Sequence, residues 1–145
     1  MALMTTIHDW MRDRGAVTRY RVGSLQAFAE QVRSGEDFRY VLREFLDDIN
    51  LAAAVRPDEL VRMIEQEPPH LEDTRHDAFL GALGEHLAMT YDLRRPAWST
   101  QDDRFLSAWW FVLENASYDA VAIRESPPAF RRRGIFVPAS TLERV

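Results

Sequence analysis

From Asp37 onward, apolar residues recur at Phe38, Val41, Leu42, Phe45, Leu46 and Ile49, the i, i+3, i+4 spacing that lines one face of a helix. The spacing predicts a helix over 37–49. Ser24 precedes a similar but shorter stripe of Leu25, Phe28, Ala29 and Val32, and Gly35 follows it as a stop. Ser as N-cap and Gly just past the end are the expected boundary residues. Near the start, Ile7, Trp10 and Met11 share a face between Thr6, a suitable N-cap, and Gly15, which predicts a helix over 6–14. Val17, Tyr20 and Val22 alternate only in part, so residues 16–22 fit an extended arm or, better, a loop.

The second half is more broken. Pro57 sits at a natural first helical position with Asp58 and Glu59 behind it, favouring the helix dipole, and Leu60, Val61 and Ile64 form the stripe. Glu67-Pro68-Pro69-His70 reads as a stiff linker. A helix from Asp73 or Thr74 carries Phe79, Leu80, Leu83, Leu87 and Tyr91 inward and closes at Arg94-Arg95-Pro96. Gly81 and Gly84 each cost this helix about 1 kcal/mol relative to Ala, and their small size suits a close neighbour. Shorter helices are expected over 102–113 and 118–124, with a helical turn after Pro128 and a short strand over 135–137. The sum is an all-α fold: a compact bundle of five to seven short helices, with an N-terminal helix and arm over 1–23, one helical domain over 24–145 and a short C-terminal extended segment.

Composition narrows the function classes. With 145 residues, 46 % hydrophobic and 28 % charged, the chain has the make-up of a single soluble domain. It has no run of eighteen apolar residues and no signal-peptide pattern at Met1-Ala2-Leu3-Met4-Thr5-Thr6. It has no cysteine, hence no disulfide or thiolate metal site. A cytoplasmic protein without a membrane span is expected. All eighteen basic residues are arginine, as a GC-rich bacterial genome would impose. The net charge of −5 is uneven: residues 36–77 hold five Arg against twelve acids, whereas residues 120–145 hold five Arg against two. Basic ends around an acidic middle suggest a chain folded against itself, or a dipolar surface that orients a charged partner.

Reactive chemistry finds little footing. His76 and His86 are ten residues apart and neither has a second His at the i±4 spacing of a zinc-binding helix. His70 falls in the linker and His8 beside an N-cap. Asp47-Asp48 and Asp102-Asp103 read as a solvated helix face and a helix start. No nucleophile elbow or Gly-rich phosphate loop is present. The residues therefore call for no cofactor, no metal and no catalytic group. A His/carboxylate enzyme site, if the chain has one, would draw on Asp73, His76, Asp77 and His86.

Binding is the better-supported class. Trp98, Phe105, Trp109, Trp110, Phe111 and Tyr118 concentrate large apolar rings ahead of Pro127-Pro128-Ala129-Phe130-Arg131-Arg132-Arg133. Consecutive Trp109 and Trp110 diverge on any helix, so one should lie near the surface. Trp, Tyr and Arg dominate protein–protein hot spots. The candidate partner-binding set is Trp109, Trp110, Phe130, Arg131, Arg132 and Arg133. A DNA-binding regulator is the alternative. The helices over 24–32 and 37–49, joined at Ser34-Gly35, have helix-turn-helix spacing, but the second begins Glu36-Asp37 and ends Asp47-Asp48, which phosphates repel. Nucleic-acid binding by this chain alone is therefore disfavoured. A homo-oligomer stays open.

Three segments carry a resemblance: Ala82-Leu83-Gly84-Glu85-His86-Leu87-Ala88 with Pro96-Ala97-Trp98, Arg104-Phe105-Leu106 through Trp109-Trp110-Phe111, and residues 126–137 with Leu142-Glu143-Arg144. Across about residues 36–145 the chain resembles small actinobacterial antitoxin-like proteins thought to be encoded beside nucleotidyltransferase-type toxins, and regulators in which a helix-turn-helix precedes such a region. Residues 1–35 do not match that helix-turn-helix. The resemblance implies a helical, non-catalytic protein-interaction module that binds and inhibits a cognate enzyme.

Overall fold

A computed structural model describes residues 23–143; the helix and arm expected before Gly23 lie outside that range. Among the described residues the chain forms seven α-helices and one two-stranded sheet. Helix α1 (Leu25–Arg33) starts where Ser24 Oγ accepts the Ala27 N–H at 3.0 Å. It ends at a turn in which Gly35 takes φ +111°, a region that glycine enters without steric cost. Helix α2 (Phe38–Val55) is capped by Asp37, whose carboxylate accepts the Tyr40 N–H. It runs to Val55, beyond the expected end at Ile49, because Leu51-Ala52-Ala53-Ala54-Val55 contains no breaker before Pro57. Helix α3 (Leu60–Glu65) follows a 3-10 turn at Pro57–Glu59.

Helix α4 (Thr74–Thr90) is the centre of the molecule. Residues 77–85 are buried without a break, so neighbours cover it on every side. Phe79 meets Phe38 at 5.4 Å and Phe130 at 5.0 Å between ring centroids. The helix stops a turn earlier than expected, at Tyr91, and Asp92 turns the chain with φ +54°. Its glycines admit a close neighbour, but that neighbour is a pair of 3-10 turns, Ala97–Thr100 and Asp102–Arg104, rather than a helix. A Cβ at Gly81 would sit 2.8 Å from Arg104 Cβ, and one at Gly84 would sit 3.2 Å from the Trp98 ring. Trp98 in turn donates its indole N–H to Ile64 O at 3.1 Å, which ties α3 to this layer.

The helix expected over 102–113 does not form. After Arg104 the chain becomes extended, and strand β1 (Trp110–Phe111) pairs in parallel with β2 (Ile135–Phe136). Two causes are visible. Trp109-Trp110-Phe111-Val112 is an aromatic and β-branched run suited to a pleated surface. The C-terminal segment also offers carbonyls: Trp110 N–H donates to Gly134 O at 2.8 Å, and Val112 N–H to Phe136 O at 3.0 Å. Between the strands lie a 3-10 turn at Ala116–Tyr118, helix α5 (Asp119–Glu125) and the single turn α6 (Pro128–Arg131). Helix α7 (Ala139–Leu142) closes the described chain. No helix among the described residues is long and apolar enough to cross a membrane.

Candidate functional site

Residues 131–133 close α6 at the edge of α4, and their side chains part in three directions because successive helical positions rotate by about 100°. Arg131 reaches back to the end of α5 and donates to Ile123 O at 2.9 Å and Ser126 O at 3.2 Å. Arg132, about half exposed, donates to Glu85 Oε1 at 2.8 Å and lies over the Phe105 ring. Arg133 is wholly buried. It donates to Glu85 Oε1 at 2.8 Å and to the carbonyls of Ser99, Ala129 and Arg104, with Phe105 4.4 Å from its guanidinium carbon. Burial would raise the Glu85 carboxyl, but the hydrogen bonds from Arg132 and Arg133 outweigh it and hold the group below the usual carboxylate range. The expected outward cationic rim is thus corrected: Arg133 belongs to the interior, Arg132 is neutralised within the chain, and Arg131 serves a helix end. Phe130, with no exposed surface, is likewise removed from the contact set, since it fills the space between Phe79 and His86.

The two neighbouring tryptophans separate as alternation in a strand requires. Trp109 is 77 % exposed. Its ring meets Phe136 edge-on at 5.5 Å, and Phe136 stacks on Phe111 at 5.0 Å. Gly134, at φ +78°, passes beneath it: a Cβ there would lie 3.4 Å from the Trp109 ring. Tyr118 and Ile123, from the connection between the strands, are also exposed. Phe111 and Phe136 were not among the expected contact residues. Their ring-on-ring ladder depends on the parallel register, which a helical reading of 102–113 hides.

Trp110 turns the opposite way and lines a cleft of about 630 Å³, within the range of small-molecule sites. Phe38 and His76 stack in its wall at 3.9 Å, with 12° between the rings. Arg75 lies over the Trp110 ring at 5.2 Å while its guanidinium joins Asp73 at 2.8 Å and Glu114 at 3.4 Å. On the α2 side Arg39 donates to Val112 O at 2.7 Å, and Arg43 stands one turn further along. The indole N–H of Trp110 is buried with no acceptor. At the lip Glu114 takes φ +53°, a conformation rare outside glycine and found most often where structure around a site enforces it. Burial lowers the affinity of His76 for a proton, partly opposed by Asp73.

The residues considered for acid–base chemistry do not converge. Asp73 caps α4 with His76 Nε2 3.9 Å away. Asp77, one turn on, faces inward, accepting the Leu71 N–H at 2.7 Å and lying 3.6 Å from buried Arg104. His86 is about two and a half turns further along, where burial against Phe130 lowers its proton affinity. His70, read from the sequence as a linker residue, is instead clamped between Asp77 at 3.2 Å and Asp103 at 3.1 Å. No group of three or more His, Asp or Glu among the described residues could hold a metal ion. No protein-family model matches the chain, and no curated protein or solved structure does.

Proposed function

We propose that this protein is a non-catalytic protein-interaction module whose contact surface centres on Trp109, backed by the buried Phe136 ring and the half-buried Phe111. The observation that carries the reading is a tryptophan left 77 % exposed beside two other rings. Full burial of such a side chain against a partner is worth about 1.5–3 kcal/mol, and buried Trp anchors dominate measured interfaces. The rim arginines play a smaller part than the sequence suggests, because Glu85 and backbone carbonyls already occupy them. The resemblance to antitoxin-like proteins gives the proposal its most specific form, in which the partner is an enzyme covered at its substrate site.

A photo-crosslinking residue placed at position 109 tests the reading in the native host. One protein partner captured at 109, and absent when the same group replaces Arg94, is the expected result. Equal capture at both positions, or none at 109, contradicts it.

A further inference from the structure

The cleft between α2, α4, β1 and α7 is lined by three arginines, Arg39, Arg43 and Arg75, and three carboxylates, Glu36, Asp37 and Glu114. Some of its acceptors have partners within the chain: Asp37 Oδ2 takes the Tyr40 N–H, Val112 O takes Arg39, and Glu114 Oε1 takes Arg75. Arg43 makes no hydrogen bond or ion pair among the described residues, and Arg39 spends only one contact on Val112. These two arginines are four residues apart on α2, hence neighbours on one helix face, and both line the cleft. Glu36 is an acceptor without a side-chain partner among the described residues, as are the hydroxyls of Ser140 and Thr141. Glu36 stands just ahead of the Asp37 cap of α2, seven residues before Arg43. The remaining wall is apolar, made by Leu42, Val112, Leu113 and the Phe38–His76 stack.

We infer that this cleft binds a small carboxylate with an apolar body, its head group held by Arg43 and Arg39 and its body laid against Leu42, Val112 and Leu113. Guanidinium suits this task because its fork matches the two oxygens of a carboxylate. The cleft volume suits a compact molecule rather than a polymer. At one lip of the opening Glu114 takes φ +53° and its carboxylate meets Arg75 at 3.4 Å. This site is separate from the exposed Trp109, whose ring lies on the other side of the chain from Trp110, the first residue of β1.

Phenylacetate and 4-methylpentanoate, titrated against the full chain and followed by amide chemical shifts, test the inference. Ligands of about ten heavy atoms should bind with roughly millimolar affinity, with shifts centred on residues 36–43 and 110–114. The corresponding amides, which keep the apolar body and lose the charge, should bind about tenfold more weakly or less. Arg43→Gln should weaken the acids by about the same factor and leave the amides unchanged. Ser140→Trp, an exposed position on the α7 wall, should block acids and amides alike. Equal binding of acids and amides overturns the inference. So does indifference to Arg43→Gln, inorganic phosphate binding as well as the acids, or an absence of shifts at saturating concentrations.

Discussion

Arg133 donates to Glu85 at 2.8 Å inside the protein, across 48 positions of sequence. The guanidinium has no exposed surface, and its other donors hold the carbonyls of Ser99, Ala129 and Arg104. One side chain therefore fastens the layer at residues 97–104 and the end of α6 to helix α4. Removing one member of such a pair leaves a buried charge without compensation, at a cost of about 3–5 kcal/mol. Glu85→Gln should lower the free energy of unfolding in urea by that order. A loss under about 1 kcal/mol, the range of exposed pairs, would show the pair to be open to water.

Gly81 provides a second test of the same layer. Alanine in a helix interior is favoured over glycine by about 1 kcal/mol. At Gly81, however, the added Cβ would lie 2.8 Å from Arg104 Cβ and 3.1 Å from Ser99 O, neither of which is the free end of a flexible chain. Overpacking of this kind costs about 1–3 kcal/mol, so Gly81→Ala should destabilise on balance. Gly84→Ala, at 3.2 Å from the Trp98 ring, should lose less. The pair of melting temperatures decides the matter, and a Gly81→Ala protein more stable than the parent contradicts the close approach.

Gly134 takes φ +78° immediately before β2, and alanine in the left-handed region costs about 1–2 kcal/mol. Gly134→Ala should therefore lower stability and loosen the Trp110 N–H bond to Gly134 O. Faster hydrogen exchange at the Trp110 and Val112 amides would register this, and unchanged exchange would argue against the strained turn.

Acidification should weaken the fold in two stages. Burial holds the proton affinity of His86, and of His76, below the ordinary value of 6.5. Below that value the unfolded chain takes up protons that the native chain refuses, so stability falls as pH drops from 6.5 toward the native values. Glu85 acts lower down. Its native carboxyl lies below 4.5, so its contribution is complete above 4.5 and is lost as pH falls through the native value. Replacing His86 by Leu should flatten the loss of stability between about pH 7 and 5 without changing the acid limb. An unaltered slope in the variant would mean that His86 takes up its proton equally readily in the native and the unfolded chain.

The periodic helices were legible because their stripes are local. Ser24, Asp37 and Asp73 cap the helices that follow them, and Phe38 through Ile49 face the core as their spacing demands. The region after Arg104 was not legible. Its conformation depends on a parallel partner 25 residues downstream, at Trp110↔Ile135, and no local pattern encodes that pairing. The arginine triplet misled for a related reason. A cationic run looks like surface until a buried acid is placed beside it, and Glu85 gives no sign in the sequence that it faces inward. The exposed member of Trp109-Trp110 followed from geometry alone, as divergence of consecutive side chains, although the strand rather than a helix produced it. The cleft was invisible because five separate elements contribute its walls.

The central claim is that Trp109 serves a partner and not the fold. Trp109→Ala, compared with the parent in both thermal unfolding and affinity for the partner captured through position 109, separates the two roles. Truncation at an exposed site changes stability by no more than about 0.5 kcal/mol, whereas truncation of a hot-spot tryptophan costs about 2 kcal/mol or more, roughly thirtyfold in affinity. An unchanged melting temperature with that loss of affinity is the predicted result. A lowered melting temperature with affinity intact contradicts the account.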